Sequence, residues 1–491
     1  MSRTKNEKII LAQRDGSTVT LIVSGDEFYA RSETEDGYTV VYDRVLGMFC
    51  YAYLFQGAFI SSGIPTIKNA PAGIRKHLRE TGSVIESKFN LRFQLREPPV
   101  RPGPPVSTYL TFGEDNGLLA GDKIHKGKVL GLTVLVEFQD VSCTVKSQDI
   151  SSMLNDDGYK GNGNFCSVRE YFLMMSGNRL EYSNEVYGPI KLKYNRDYYH
   201  FTRKNEILIE ALNTLENQGI DFRRFDSSGD GKIDAINIMY SGATQYVDRS
   251  WLWPHNFYHE MRVGGVSTYF YQICSLESMS IGTFCHENGH MLCRFPDLYD
   301  YGNRDNDFVR SSGLGNYCLM SAGNHLDNGR TPAPFSAYLR YLAGWYDKEI
   351  LLNQPSTYEV LQGDYSNIYK FMLNDLPNEY FLVENRHKIG IDLSSPSDGL
   401  AVYHCDVLGS NEWQQGTPSK HYQCALLQAD GHRQLENGSN MGDKNDFFSN
   451  IKGIAISYGT NPSSQRWDRS DSMLTISNIS KAARKMTFET K

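Results

Sequence analysis

The chain has 491 residues, 40% hydrophobic and 22% charged, enough material for several buried cores and unlike a disordered sequence. Lys and Arg number 50 against 57 Asp and Glu, a net charge of −7, which excludes a general nucleic-acid binder dependent on a basic face. No apolar run reaches the length of a transmembrane helix, and nine cysteines without a CxxC pair exclude a zinc ribbon or a thioredoxin-like motif.

The opening MSRTKNEKIILAQRDGS lacks an apolar core segment, so no secretory signal is expected within this chain. Residues 8–65 alternate short β-like runs (STVTLIVS, GYTVVYD, FCYAYLF) with Gly and Asp turns, which predicts a meandering sheet, followed by a helical stretch near 72–92. Cys50 within CYAYLF reads as a buried apolar residue rather than a thiolate. Residues 98–105, PPVRPGPP, place five prolines in eight positions, a stiff spacer between domains. The expected organisation is an N-terminal domain at 1–97, a linker at 98–107, a main domain at 108–348 and a C-terminal β domain at 349–491.

Past the linker, VLGLTVLVEF (129–138) is a continuous apolar run of the kind a buried strand carries. Helical patterns occupy 166–176 and 204–217, and AINIMYS (235–241) predicts a second buried strand. Between them, FDSSGDGKIDAIN sets Asp226, Ser228, Asp230, Lys232 and Asp234 at positions 1, 3, 5, 7 and 9 of an EF-hand-like loop, Lys232 contributing through its carbonyl. Gly231 at position 6 permits the sharp turn, and Asn237 stands where a sensor loop has its bidentate Glu. A weak structural Ca²⁺ site is expected there. His255, beside Trp253 and Pro254, reads as structural.

The strongest signal is FCHENGHMLCRFPDLYD (284–300). On a helix, His286 and His290 project from one face a turn apart, so two neutral imidazoles can reach one Zn²⁺. Glu287, next to the first ligand, can take a proton from water. The preceding SLESMSIGTFC is apolar enough to belong to the same buried helix, and the proline of RFPD ends it. In the metzincin pattern HExxHxxGxxH, a glycine three residues past the second His turns the chain and a ligand follows three residues later. Here Cys293 and Pro296 occupy those positions. Asp297 is therefore favoured as third ligand, with Asp300 the alternative. GNYCLMSAGN (315–324) puts Met320 in a tight turn that resembles a methionine floor under a zinc site, and PAPFSAYLRYLAGW (332–345) predicts a supporting helix in which Tyr338 packs. Beyond it, YFLVENR, GLAVYHCDV, YQCALLQAD and KMTFET are short strands of an all-β region.

The HENGH–PDLYD segment, the CLMSAG turn, the PAPFSAYLRYLAGW helix and YFLVENR together resemble the immune inhibitor A-like family of bacterial zinc metallopeptidases. SGDEFYARSETEDGYTVVYD, VLVEFQD and SVREYF are also similar to that family's segments. The resemblance implies an α+β fold with a zincin-type catalytic domain carrying an HExxH active-site helix, a small β-rich N-terminal propeptide-like domain that inhibits, a C-terminal all-β domain, and secretion. The expected function is a zinc endopeptidase acting on protein or peptide substrates, with Glu287 as general base. The competing expectation is a catalytically silent peptidase fold that binds a protein or glycan through its C-terminal β module. No GxSxG elbow or P-loop is present, so serine-hydrolase and NTPase chemistry have no support.

Overall fold

A computed structural model describes residues 4–13, 15–26, 28–93, 117–203, 205–244, 252–302 and 309–491. The proline-rich spacer lies outside the described residues. The fold is α+β. Six antiparallel strands form the N-terminal meander: β1 (Thr4–Ala12), β2 (Thr18–Gly25), β3 (Ala30–Glu33), β4 (Thr39–Asp43), β5 (Met48–Phe55) and β6 (Ala58–Pro65). Strand β2 alternates buried and more exposed residues, the pattern of a sheet with one covered face. Cys50 is buried on β5. The helix that follows, α1 (Gly82–Phe93), is shorter than its pattern suggested. Residues 71–81 bind the sheet instead: His77 donates its N–H to Gly37 and Thr81 to Gly57.

The central sheet is built from β7 (Gly127–Glu137), β8 (Leu180–Lys191), β9 (Ile236–Tyr240), β10 (His255–Tyr258) and β13 (Phe270–Ser275), in the order β10-β13-β9-β7-β8. A small ribbon, β11 (Arg262–Val263) with β12 (Val266–Ser267), joins β10 to β13. Strands β13, β9, β7 and β8 run parallel, and β10 is antiparallel to β13. Because helices cover both faces, β7 and β9 are almost wholly apolar. Leu132, Val134 and Val136 face α4 (Glu206–Asn217), whose buried Ile207, Leu208, Ala211, Leu212 and Leu215 form one stripe. Val129 and Leu135 face the opposite core with α2 (Ser147–Asn155), α3 (Val168–Met175) and α5 (Ile281–Cys293). Helix α3 opens on a reciprocal capping box between Ser167 and Glu170.

The histidine-bearing helix begins at Ile281, later than its apolar lead-in suggested. Of that lead-in only Ser275 belongs to β13, paired with Tyr240, and residues 276–280 turn between strand and helix, Leu276 N–H donating to Tyr240 O at 2.9 Å. Asn164 reaches across to cap the helix, its Oδ1 accepting from Ile281 N–H at 3.1 Å. The helix after the methionine turn, α6 (Ala337–Leu342), is also shorter than expected, its prolines preceding the Ser336 cap.

Two sheets make the C-terminal region. One is β14 (Lys348–Leu351), β16 (Asn367–Met372), β17 (Glu379–Arg386), β18 (Gly399–Asp406) and β19 (Cys424–Leu426); the other is β15 (Ser356–Leu361), β20 (Ile451–Ile456), β21 (Ile476–Ile479) and β22 (Lys485–Thr490). Strands β17 and β18 are buried along their whole length. Their alternation divides the burial: Leu382, Ala401, Tyr403 and Cys405 join the core of α5 and α6, whereas Phe381, Val383, Leu400 and Val402 pack between the two sheets. No helix among the described residues is long and apolar enough to cross a membrane.

Candidate metal centre

Helix α5 is buried on every side, so its polar residues must be satisfied internally. His286 Nδ1 lies 2.7 Å from Leu319 O, and His290 Nδ1 lies 2.6 Å from Phe295 O. A carbonyl can only accept, so both Nδ1 atoms carry the proton and both Nε2 atoms present lone pairs. Those Nε2 atoms stand 3.2 Å apart, and Asp297 Oδ1 lies 3.4 Å from His286 Nε2 and 3.3 Å from His290 Nε2. Ligands about 2.0–2.1 Å from a tetrahedral Zn²⁺ would be separated by about 3.3 Å, so the donor spacing fits that ion. Three acceptor atoms thus converge in a buried site, an arrangement that can hold a cation. Burial pushes His290 down to about 4, keeping its imidazole neutral.

The third donor arrives by a turn that the sequence disguises. Arg294 closes α5 in the left-handed conformation, φ 55° and ψ 30°, and Phe295 N–H returns to Gly289 O. The metzincin glycine and ligand fall three and six residues after the second His; here the left-handed residue and Asp297 fall four and seven after it. Both are displaced by one, which preserves the turn-to-ligand distance. An arginine tolerates this backbone because its side chain is held: Nη1 donates to His290 O at 2.9 Å, Nε to Ala120 O at 3.0 Å, and the guanidinium lies 3.9 Å from the Phe270 ring centroid. Asp300 does not join the cluster. Its Oδ1 accepts from Gly302 N–H at 2.6 Å, stabilising the turn that follows.

Asp297 is fixed by two partners that sequence reasoning missed. Tyr301 donates its hydroxyl to Asp297 Oδ2, and Glu412, from a distant loop, accepts the Asp297 N–H at 2.8 Å. Met320 lies beneath the helix. A Cβ at Gly289 would come within 2.7 Å of its sulfur, so the glycine of HENGH lets the methionine approach. Glu287 is fully buried on the same helix. Asn288 donates to Asn237 Oδ1 at 3.0 Å, and Asn237 in turn donates to Thr133, Tyr182 and Asn184 across the sheet. Asn237 therefore serves the core and does not close the acidic loop at position 12.

In that loop, Asp226, Asp230 and Asp234 bring carboxylate oxygens within 4.8 Å of one another. Asp226 accepts from the N–H groups of Asp230 and Gly231 at 3.0 and 2.9 Å, and from Ser228 Oγ at 3.5 Å; Asp234 accepts from Ser227 and Ser228 N–H. Burial raises the Asp234 carboxyl. The Lys232 ammonium pairs with Asp230 and Asp122 at 3.2 and 3.0 Å, so a cation already lies beside the loop. His255 directs Nδ1 at Trp253 O at 2.5 Å, and the Tyr338 hydroxyl accepts from Gln423 at 2.8 Å within the core.

A cavity of ≈ 270 Å³ opens beside α5, lined by Thr283, Phe284, Met279, His325, Arg330 and, from the N-terminal sheet, Glu7. The N-terminal region meets the rest of the chain at two further points, one of them from the turn between β2 and β3. Phe28 packs edge-on to Tyr301 at 5.2 Å, and Lys5 Nζ donates to Gly438 O at 2.8 Å.

No protein-family model matches the chain. It is similar to the Pre-pro-metalloprotease PrtV of Vibrio cholerae serotype O1, from strains M66-2 and ATCC 39315 / El Tor Inaba N16961, with 25% identity over 237 residues. The match covers 38% of this chain and 25% of the relative, so the chain spans about a quarter of the length of the curated proteins it matches. The chain is thus related at a distance to a bacterial metalloprotease.

Proposed function

We propose that the chain is a zinc-dependent endopeptidase of the immune inhibitor A-like kind, with a zincin-type catalytic domain at 108–348 and a C-terminal β domain at 349–491. The observation that carries this reading is the set of donor atoms on His286, His290 and Asp297 at tetrahedral spacing, with Glu287 one residue past the first of them. A structural zinc needs a fourth protein ligand and no adjacent base, whereas a catalytic one keeps a position open. The chemistry a bound Zn²⁺ would supply here is Lewis acidity toward the scissile carbonyl and toward water. Glu287 takes the proton of the attacking water on its carboxylate and then hands it to the leaving amine. The carbonyls of Leu319 and Phe295 fix the imidazole tautomers, and Tyr301 and Glu412 hold Asp297 in place. The cavity beside Thr283 and Phe284 accepts a side chain of the peptide substrate.

Residues 1–97 act in this reading as an inhibitory propeptide, with Glu7 in the cavity and Phe28 against Tyr301 as its contacts to the site. Elemental analysis of the purified chain should give one zinc. Cleavage of a peptide library should disappear on chelation, return with Zn²⁺, and rise after cleavage in the 98–105 spacer and removal of the N-terminal part. One zinc and no cleavage, even after that removal, would favour the binding-protein alternative. Lower activity after clean excision would count against an inhibitory propeptide.

The acidic loop is proposed to hold Ca²⁺ with Asp226, Ser228, Asp230 and Asp234, and the Lys232 carbonyl, ahead of β9. Three carboxylates in one turn repel, and an ion bound only by the folded loop stabilises by about 2.7 kcal/mol at a hundred times its Kd. Millimolar-order calcium should therefore raise the melting temperature of zinc-loaded, calcium-stripped protein. The Asp226→Ala/Asp230→Ala variant should not respond. Identical responses would show that the loop is only a turn.

A further inference from the structure

All nine cysteines are reduced in the structure, but two face each other. Cys405 on β18 and Cys424 on β19 are register partners, both buried, with their sulfurs 3.8 Å apart. The ladder defines what kind of pair this is. Leu427 donates to Val402 O and Asp406 to Gln423 O, so the hydrogen-bonded pairs alternate with the cysteine pair. Cys424 directs its own N–H away from β18, to Asn411 Oδ1 at 3.0 Å. At such a non-hydrogen-bonded position the Cα atoms of antiparallel strands lie about 4.5 Å apart. That separation is inside the range a disulfide spans, roughly 4.4–6.8 Å.

The segment these cysteines would close, 406–423, carries Glu412. Asn411 clamps the backbone of Cys424 from both sides, donating to its carbonyl at 2.9 Å and accepting its N–H, and the next residue reaches the backbone of Asp297. We propose that Cys405 and Cys424 form a cross-strand disulfide that anchors the 406–423 loop and, through Glu412, positions Asp297. The second clause rests on the metal centre proposed above. The exchange balances with a low-molecular-weight disulfide as oxidant. One cysteine thiolate displaces a thiol to give a mixed disulfide; the second attacks it, closing Cys405–Cys424 and releasing the other thiol. Burial holds the Cys424 thiol well above the usual range, so the bond forms during folding rather than by attack on the closed structure.

The full chain should be refolded in glutathione with oxidised glutathione, and in parallel in excess reductant, then alkylated in denaturant, digested and mapped by mass spectrometry. The oxidised sample should give one linked peptide pair joining Cys405 to Cys424, with the other cysteines alkylated. Alkylation of Cys405 and Cys424, or their pairing elsewhere, overturns the cross-link. For the positioning role, zinc loss to a chelator should be roughly tenfold slower from the oxidised form, the scale on which outer-shell groups act. Cys405→Ala/Cys424→Ala protein should match the reduced form, although the peptide map needs no variant. Equal loss rates with the bond in place overturn the positioning role. A chain that holds no zinc in either state overturns the metal reading instead, and the map still decides the cross-link.

Discussion

Glu287→Gln should retain one zinc and lose peptide cleavage. The substitution keeps size and shape at a fully buried position on α5. It also leaves the cluster of His286, His290 and Asp297 untouched. What disappears is the group proposed above to accept the proton of the attacking water and return it to the amine. General-base catalysis of this kind contributes typically 10²–10⁴-fold, or roughly 3–5 kcal/mol of barrier. Elemental analysis and a library digest on the same preparation separate the outcomes. Undiminished cleavage by the variant would sink the assigned mechanism. Zinc lost together with activity would make Glu287 part of the metal's support rather than its base.

Arg386→Met should destabilise the chain more than any surface change. Arg386 is 1% exposed, with Nε 2.8 Å from Asp392, Nη1 3.3 Å from Glu384, and Nη1 donating to Tyr317 O at 2.8 Å. Glu384 also takes Arg340 at 2.5 Å and the Tyr403 hydroxyl at 2.6 Å. Burial alone would raise the Glu384 carboxyl, but the two arginines hold it below its ordinary value. Removing one cation leaves buried carboxylates uncompensated, a loss of about 3–5 kcal/mol. Denaturant melts of the variant against wild type measure it. A change under about 1 kcal/mol would show that water or a shifted neighbour replaces the guanidinium. Because Tyr317 precedes the turn of Leu319 and Met320, the variant should also release zinc faster.

These charges sit in YFLVENR, and a carboxylate with an arginine inside an otherwise apolar strand is a visible sign of a buried ion pair. The partners, Arg340, Asp392 and Tyr403, come from a helix and two other segments, and no local pattern selects them. Asn237 shows the converse. As position 12 of a cation loop it looked like a defective ligand, while the register of β7, β8 and β9 makes it the centre of a polar network under Asn288.

Features that depend only on local geometry were legible in the chain alone. The i, i+4 spacing of His286 and His290 puts both imidazoles on one helix face whatever surrounds it, and Glu287 travels with them. Apolar runs marked β7 and β9 because parallel strands covered on both faces have no room for alternation. The tertiary structure decided everything that depends on distant chain segments meeting. Asp297 rather than Asp300 reaches the histidines because Arg294 adopts a left-handed turn. That backbone is unfavourable for arginine in isolation, and Ala120, Phe270 and His290 hold it in place. The start of α5 was obscured because the lead-in carries no local stop signal, whereas in the fold residues 276–280 turn between β13 and the helix and Asn164, from a distant segment, caps Ile281. Glu412 is 115 residues from Asp297 in the chain, and only the packing of β18 and β19 against α5 and α6 brings its carboxylate to that backbone.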